Sequence, residues 1–437
     1  MNKYGRNTWG LYLWLLCTLV IFLIIVVVRE RLPFSDLETS RLASIESLYN
    51  RSTWAIDSSP FNTTIDKIKI GEHYYSSKPP VLAWLASGLT RLIHAVAPSL
   101  TLIVEPLPLL YWIILLTAFN LLPYIVGIWA AYQILELFEV RHRLMLLAAI
   151  SLGGLWIVYL FSFTNHVSAT GCFILGLYFL IKAKHTPMWQ RGYVSVAGVA
   201  ISAATVFEIS LCVWWLLIVL YLWREHRQNA LVFLVASAPF FALHMYLTWS
   251  ISGQLIPFYL RSSFYTYTDS YWMAPMGIDN LDHSHTLYLF NILLGTHGLF
   301  LYSPVFLFSL IGLFYGWKEE RFRPFAIISI IGLCAFLLFY VFRTSNYSGA
   351  VYGFRWFIVL IPVLWLWLVY YVERAGAYLG WVRFALLLSV FSAVLGAYQP
   401  FNAPLHFIQT GYFLYWPWLV NFLQVMKMVF PGIALGV

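Results

Sequence analysis

The chain has 437 residues, of which 61% are hydrophobic and only 10% are charged, with a formal net charge of +8. Soluble domains carry about 25% charged residues. This composition therefore excludes a water-soluble enzyme, a disordered chain and a nucleic-acid-binding protein, and a mean hydropathy of +0.77 indicates lipid as the solvent. All four cysteines, Cys17, Cys172, Cys212 and Cys334, lie inside apolar runs, so neither a disulfide framework nor a CxxC metal site is predicted.

Long apolar runs predict an all-α polytopic membrane protein, because every backbone polar group in hydrocarbon must be satisfied within its own segment. The first run, Trp9 to Val28, follows Lys3 and Arg6 and has no small-residue cleavage site, so we expect an uncleaved anchor. We expect about 12 transmembrane helices (11 to 13) in a single domain, 1–437. The other eleven runs are 109–135, 144–162, 167–181, 193–206, 208–223, 230–250, 298–316, 325–342, 357–372, 381–397 and 412–430.

The short basic connections predict the orientation of these spans. Most Lys and Arg residues fall on the side of the amino terminus, which places both termini in the cytoplasm of a plasma or inner membrane. Two large segments, 29–108 and 251–297, then face outward and hold most of the acidic residues. The stretch 80–97 contains polar residues and is expected to lie in the outer interface or to re-enter the membrane.

The first external segment begins with an acidic motif directly after the anchor. Ser35 and Glu38 have the spacing of a capping box, and Leu37, Ile45 and Leu48 fall on one helical face. An amphipathic helix on the outer membrane surface accounts for this pattern. A second interpretation is functional: Asp36 is held at the depth of lipid headgroups, where a general base acting on a lipid-phosphate substrate must stand.

The same segment ends with a lysine before two prolines. Lys78 is kept extended by the proline that follows it, and Pro80 suits the first turn of a helix. Beside Tyr74 and Tyr75, this lysine is either a phosphate-binding point charge or an ordinary snorkelling lysine among interfacial aromatics. The residues alone are compatible with both interpretations of Lys78.

Taken in order, these motifs resemble the GT-C glycosyltransferases, and most closely their protein O-mannosyltransferase and aminoarabinose-transferase branch. The resemblance rests on the acidic motif after the first span, the interfacial helix, and Tyr75-x-x-Lys78-Pro-Pro entering the next helix. A third element, Gly353 to Trp367, is similar to an Arg-Tyr-x-x-x-x-Pro helix start late in these enzymes and contains Arg355. The resemblance covers mainly residues 30–95 and 350–367.

The resemblance implies a fold with an outward-opening cavity, a polyprenyl-phosphate sugar as donor, and inversion at the anomeric carbon. It places the catalytic base on Asp36 and leaves phosphate stabilisation to Lys78 and Arg355, with no cofactor, nucleophile or metal required. This chain departs from the pattern by separating Asp36 from Glu38, so one of the two acids is expected to be structural. It also carries Ser77 where aminoarabinose-type enzymes have an acid, which disfavours a cationic sugar.

The second external segment carries aromatic residues interleaved with hydroxyls and Arg261. Rings such as Tyr265 suit a sugar or a lipid headgroup, but interfacial aromatic belts are common. Further along, four residues invite a metal site, although they lack the helical i, i+4 pair of H-E-x-x-H, and a divalent ion is not favoured. These four residues are Asp279, Asp282, His283 and His285.

The predicted function is transfer of a sugar from a polyprenyl-phosphate donor to an unknown acceptor (protein, lipid or glycan) on the outer face. Expected site residues are Asp36 as base, with Glu38, Tyr74, Tyr75, Lys78, Arg261, Tyr265 and Arg355 binding substrate. One alternative is a transporter or lipid flippase. Two observations disfavour it: only Glu208 is a candidate charge within the helices, and the sequence shows no evident inverted pair of broken helices. The other is a non-catalytic membrane subunit with a degenerate transferase fold.

Overall fold

The computed structural model describes residues 8–29, 34–101, 107–280, 283–344, 346–349, 351–374, 378–398, 400, 401, 422 and 426. The first nine α-helices are α1 (Thr8–Val28), α2 (Asp36–Arg51), α3 (Pro80–Val96), α4 (Leu109–Leu116), α5 (Leu122–Leu137), α6 (Arg143–Ser151), α7 (Leu155–Val158), α8 (Asn165–His185) and α9 (Gln190–Phe207). They are followed by α10 (Cys212–Glu225), α11 (Arg227–Ser252), α12 (His285–Leu293), α13 (Leu299–Tyr302), α14 (Leu307–Lys318), α15 (Arg323–Arg343), α16 (Ile361–Val372) and α17 (Leu379–Tyr398). Two antiparallel strands, β1 (Lys67–Ile70) and β2 (His73–Ser76), form the one described sheet.

The helices confirm a multi-pass, mostly helical membrane protein. Within the described residues, seven helices are long and apolar enough to cross a membrane. The predicted number of 12 spans is not confirmed, because several predicted runs form shorter or broken helices, and the run 412–430 lies outside the described residues. The seven are Trp9–Val28, Leu109–Leu137, Asn165–His185, Arg227–Ser252, Arg323–Arg343, Arg355–Val372 and Leu379–Ala397.

Two predicted runs are interrupted at residues that disfavour a continuous helix. The run 144–162 ends as α6 and the single turn α7, separated by Gly153 and Gly154, where glycine lowers the cost of leaving the helix. The run 298–316 breaks before Pro304, which has no N–H to continue the α-helical ladder. The uncertain boundary between runs 193–206 and 208–223 falls at Glu208.

Helix α8 lies at the centre of the bundle, packed against α5 on one side and α9 on the other. The segment joining α4 to α5 is a π-helical turn, Thr117–Leu121, directly before Pro123, whose ring cannot be accommodated by a regular ladder. Gly171 of α8 faces this point, where a Cβ atom would lie 2.1 Å from the carbonyl oxygen of Pro123. The two backbones can therefore approach closely only because position 171 has no side chain.

The first external segment folds as α2, the β1–β2 hairpin and α3. The two-residue turn of the hairpin contains Gly71 with a φ of +61°, a conformation that glycine adopts without penalty. The capping box at Ser35 and Glu38 is confirmed. The prediction that α2 lies on the membrane surface is not supported, because nearly all of its residues from Leu37 to Leu48, polar ones included, are buried. Packing against α3 and β2 replaces the lipid and water that a surface helix would contact.

We expect Gly171→Ala to destabilise the protein by about 1–3 kcal/mol, because its methyl group would overpack the contact between α8 and Pro123. Thermal unfolding of the purified protein in detergent measures this loss. The matched control is Gly88→Ala, at an exposed position of α3 where a Cβ meets nothing within 4 Å; alanine there should be neutral or slightly stabilising. Equal melting temperatures for the two variants would contradict the close approach.

Candidate active site

The two acids of the first motif have different environments. Glu38 is 3% exposed; its Oε2 accepts hydrogen bonds from the backbone and hydroxyl of Ser35, and its Oε1 accepts one from the Phe163 N–H. Asp36 is exposed, and its Oδ1 accepts a hydrogen bond of 3.0 Å from the Ile65 N–H. Glu38 thus has both oxygens committed to the fold, whereas Asp36 keeps Oδ2 free of bonds from the described residues.

A short segment, Thr64 to Asp66, connects Asp36 to the lysine before the prolines. The Thr64 hydroxyl donates to the carbonyl of Asp36, and the Asp66 carbonyl accepts from the Ser77 N–H. The carboxylate of Asp66 forms a salt bridge of 2.6 Å with Lys78 Nζ. Asp36 and Lys78 therefore lie on either side of one three-residue link. Asp66 was not among the predicted site residues.

Arg41 is a second cation of the site that the motifs did not indicate. It is 2% exposed, and its guanidinium donates to the Phe163 carbonyl and to the Asn165 side-chain oxygen. The sequence did contain a signal, because Arg41 shares the apolar stripe of Leu37 and Ile45 at helical spacing. A charge on the apolar face of a helix is costly, so its presence there indicates a functional role.

Arg355 enters from far along the chain, in the 3₁₀ turn Arg355–Leu360 that precedes α16. Its side chain is 92% buried and its Nε has no hydrogen-bond partner. In the described part of the chain, no acidic residue forms a salt bridge with it. A buried guanidinium without a counter-ion is costly, and an anion brought by a ligand would offset that cost.

The charges of three cations act on one another. Burial lowers the pKa of Lys78 to about 8; the charge of Asp66 opposes this, and the charges of Arg355 and Arg41 add to it. Burial likewise lowers the pKa of Arg41 to about 9; the charge of Arg355 adds to this, and the charges of Asp66, Glu38 and Glu208 oppose it. We call Lys78, Arg41 and Arg355 the cation cluster; that Lys78 and Arg355 bind substrate stays a prediction.

A small pocket adjoins two of these cations. Its walls combine Arg41 and Lys78 with Tyr75 and with apolar side chains, its free volume is about 10 Å³, and neither Arg355 nor Asp36 lines it. The apolar part of the lining consists of Trp54, Pro79, Pro80, Ala83, Ile251 and Phe258. The pocket therefore has an apolar wall and a positively charged end.

Behind Arg41 lies a buried polar network at the meeting point of α8 and α9. Asn165 donates through its amide to the Phe207 carbonyl and to Glu208 Oε2, at 2.8 and 2.9 Å. His166 Nδ1 lies 2.7 Å from the same carboxylate. Because both amide hydrogens of Asn165 are used, its side-chain oxygen is turned toward Arg41, and the charge of Glu208 also acts on Arg41.

The predicted aromatic and basic residues of the two external segments are brought to the same side of the site. Tyr74 packs edge-on against Tyr267, with ring centroids 5.4 Å apart, and the Tyr265 hydroxyl donates to the Tyr259 carbonyl. Burial raises the pKa of the Tyr265 phenol, which keeps it a neutral donor. Arg261 lies over the ring of Phe264 and makes no described contact with the cation cluster.

The four residues considered as metal ligands are not gathered. No group of three such residues that could hold an ion occurs in the described chain, and Asp282 lies outside it. Asp279 accepts a hydrogen bond from the Tyr271 hydroxyl, whereas His283 bonds to the Tyr347 hydroxyl. His285 packs on Phe342. The charges of Arg355 and Lys78 act on Asp279.

No protein-family model and no curated protein matches the chain. Among solved structures, it is similar to ArnT from Cupriavidus metallidurans in the apo state, with 15% identity over 82% of this chain and 59% of that chain, and a TM-score of 0.49. The same protein bound to undecaprenyl phosphate matches with 15% identity over 88% of this chain and 70% of that one, at a TM-score of 0.48.

The chain is also similar to the Archaeoglobus fulgidus oligosaccharyltransferase in its apo form, with 13% identity over 92% of this chain and 57% of that chain, and a TM-score of 0.48. Both neighbours are GT-C glycosyltransferases, the superfamily that the sequence motifs resemble. The chain spans 59% and 57% of the length of their apo structures. At these TM-scores the likeness carries no argument about chemistry, and the function proposed below rests on this chain's own residues.

We expect Glu38→Ala to lower stability by about 1–3 kcal/mol, because it leaves the Phe163 N–H and the cap of α2 without an acceptor. Thermal unfolding measures the effect. Asp36→Asn is the control, since an asparagine keeps an oxygen for the Ile65 N–H, and its melting temperature should match that of the wild type. A large loss in Asp36→Asn instead would mean that Asp36 is the structural acid.

We expect the affinity for phosphate to fall as the pH rises through about 8, because Lys78 loses its proton there and its cationic form binds the anion. Titration of polyprenyl phosphate against the protein in nanodiscs, from neutral to alkaline pH, measures this. Lys78→Arg should retain its affinity further into the alkaline range because arginine stays protonated, while Lys318→Arg, at the far end of α14, should behave as the wild type. An unchanged pH profile in Lys78→Arg would contradict the assignment.

Proposed function

We propose that the protein is a membrane glycosyltransferase that moves a sugar from a polyprenyl-phosphate donor to an acceptor. The observation that carries the proposal is Arg355, a buried guanidinium that forms no salt bridge with the described acids and is coupled to the buried Arg41 and the partly buried Lys78. Such a cluster repels itself in the empty site and becomes favourable when an anion with several oxygens enters. A donor phosphate is such an anion.

The pocket supports a lipid-linked phosphate over a free one. Its charged end is formed by Arg41 and Lys78, and its remaining wall is largely apolar, with Trp54 and Phe258 among the lining residues. Because the free volume of the pocket is about 10 Å³, its walls would have to move apart for an isoprenoid chain to lie on the apolar side chains and bring its phosphate to the cations. Binding energy from the chain, remote from the reacting atoms, would then orient the sugar.

Asp36 is proposed as the general base of a direct displacement. The oxygen of the acceptor hydroxyl forms a bond to C1 of the sugar as the bond from C1 to the phosphate oxygen breaks, and Asp36 takes the hydroxyl proton. The electron pair of the broken bond stays on the phosphate, where Lys78, Arg41 and Arg355 stabilise the added charge. A single displacement inverts C1 and needs no enzyme nucleophile.

The proposed orientation places this chemistry on the extracytoplasmic side, with both termini in the cytoplasm. It follows from the basic short loops on the side of the amino terminus. Asp36, Lys78 and Arg41 all belong to the segment that follows α1, so one crossing by α1 would bring them outside together. The acceptor would then be a hydroxyl-bearing protein, lipid or glycan of the envelope.

We expect Asp36→Asn to reduce sugar transfer by about 10²- to 10⁴-fold, the usual contribution of a general base, while donor binding is retained. Arg355→Gln should instead weaken donor binding by about 10-fold or more, as a charge-assisted contact is lost. Arg321→Gln, an exposed arginine of the 318–323 turn, is the control and should change neither quantity. Transfer of radiolabelled sugar and equilibrium binding of polyprenyl phosphate are measured on the same preparations.

Two outcomes would overturn the proposal. If the Asp36→Asn chain retains both its transfer products and its cellular phenotype, the protein acts as a non-catalytic membrane subunit. If proteoliposomes flip or take up lipid phosphate with no sugar donor present, the protein is a transporter. Glycan and lipid mass spectrometry of a deletion strain would name the missing product directly.

A further inference from the structure

We propose that Asp279, on the second external segment, holds a hydroxyl of the donor sugar and so determines which sugar is transferred. This inference rests on the function proposed above. That function names residues for the donor phosphate and for the base, and the inference adds a residue that contacts the donor sugar. Asp279 has no part in phosphate binding or proton transfer in that scheme. It is a specificity-determining residue contributed by a different part of the chain.

One oxygen of Asp279 lacks a hydrogen-bond partner among the described residues and is closed off from solvent, so a ligand hydroxyl would reach it as the neighbouring side chains move apart. Its Oδ2 accepts a hydrogen bond of 3.0 Å from the Tyr271 hydroxyl. Its Oδ1 is buried and has no hydrogen-bond partner in the described chain. A buried acceptor without a donor is costly, and a carboxylate oxygen readily accepts from a hydroxyl. The Tyr271 bond meanwhile holds the carboxylate in place, so Oδ1 would be oriented before the ligand arrives.

A chain of hydrogen bonds ties this carboxylate to the rest of the site. Trp272, adjacent to Tyr271, donates through its indole to the Ile65 carbonyl at 3.2 Å. The N–H of the same Ile65 donates to Asp36, and the following residue, Asp66, pairs with Lys78. Ile65 therefore links Asp36 to Trp272, which is adjacent to the Tyr271 that holds Asp279. The neighbour of Ile65, Asp66, holds Lys78.

Asp279 is electrostatically coupled to both halves of the site. The charges of Arg355 and Lys78 act on Asp279, and the charge of Asp36 acts on its hydrogen-bond partner Tyr271. In a glycosyl phosphate the sugar ring lies between the phosphate and the hydroxyl that attacks C1. A carboxylate repels a phosphate and accepts hydrogen bonds from hydroxyls, so the proposed contact of Asp279 is with a hydroxyl of the ring.

Direct binding to the full-length protein in nanodiscs tests the inference without requiring transfer. The probes are polyprenyl phosphate and its glucosyl, mannosyl and galactosyl derivatives. We expect the wild type to bind at least one sugar-bearing probe more tightly than bare polyprenyl phosphate. Asp279→Ala should lower the affinity for that probe by about 10-fold or more and leave the affinity for bare polyprenyl phosphate unchanged. Asp269→Ala, an exposed aspartate of the same segment, is the matched control and should bind every probe as the wild type does.

The outcomes separate this inference from the proposed function. If wild type and Asp279→Ala bind the sugar-bearing probes equally, or if no probe exceeds bare polyprenyl phosphate on the wild type, the sugar contact is overturned and the phosphate site stands. If Asp279→Ala weakens bare and sugar-bearing probes alike, Asp279 supports the cations and the inference also fails. If the wild type binds no polyprenyl phosphate, the proposed function itself falls, and this inference with it.

Discussion

Three residues of the first external segment, Thr64 to Asp66, hold the candidate site together. Through them the carboxylate of Asp36, the ammonium of Lys78 and the indole of Trp272 are each fixed by a hydrogen bond or salt bridge. The segment has no regular secondary structure of its own. Its backbone polar groups are satisfied by the site residues, so the geometry of the site and the fold of the loop depend on the same bonds.

The second constraint is the cost of burying positive charge. Arg41 and Arg355 are almost fully buried, and Lys78 is paired with Asp66. Neutral partners such as Asn165 and the Phe163 carbonyl orient Arg41 without cancelling its charge. Carboxylates partly offset the cluster, since Asp66, Glu38 and Glu208 act on Arg41, whereas no acid of the described residues forms a salt bridge with Arg355. In a low-dielectric setting the attraction of this unpaired guanidinium to a phosphate is much stronger than in water.

The bundle supports the site with interrupted helices, which meet the residues of the first external segment. The backbone between α7 and α8 is non-helical yet fully buried, and it supplies the Phe163 N–H to Glu38 and the Phe163 carbonyl to Arg41. Irregular backbone of this kind is tolerated in a membrane protein only where protein surrounds it. The 3₁₀ turn that carries Arg355 before α16 is used in the same way.

The sequence by itself determined the membrane-spanning helical class and the capping box of α2, because hydropathy and cap chemistry are local. Only the tertiary structure decided that Glu38 commits both carboxylate oxygens to the fold and Asp36 only one, since the deciding donor, Phe163, is distant in sequence. It also decided the pairing of Asp66 with Lys78, and the burial of α2. Such contacts depend on which segments pack together, and a one-dimensional pattern of apolar residues does not contain that choice.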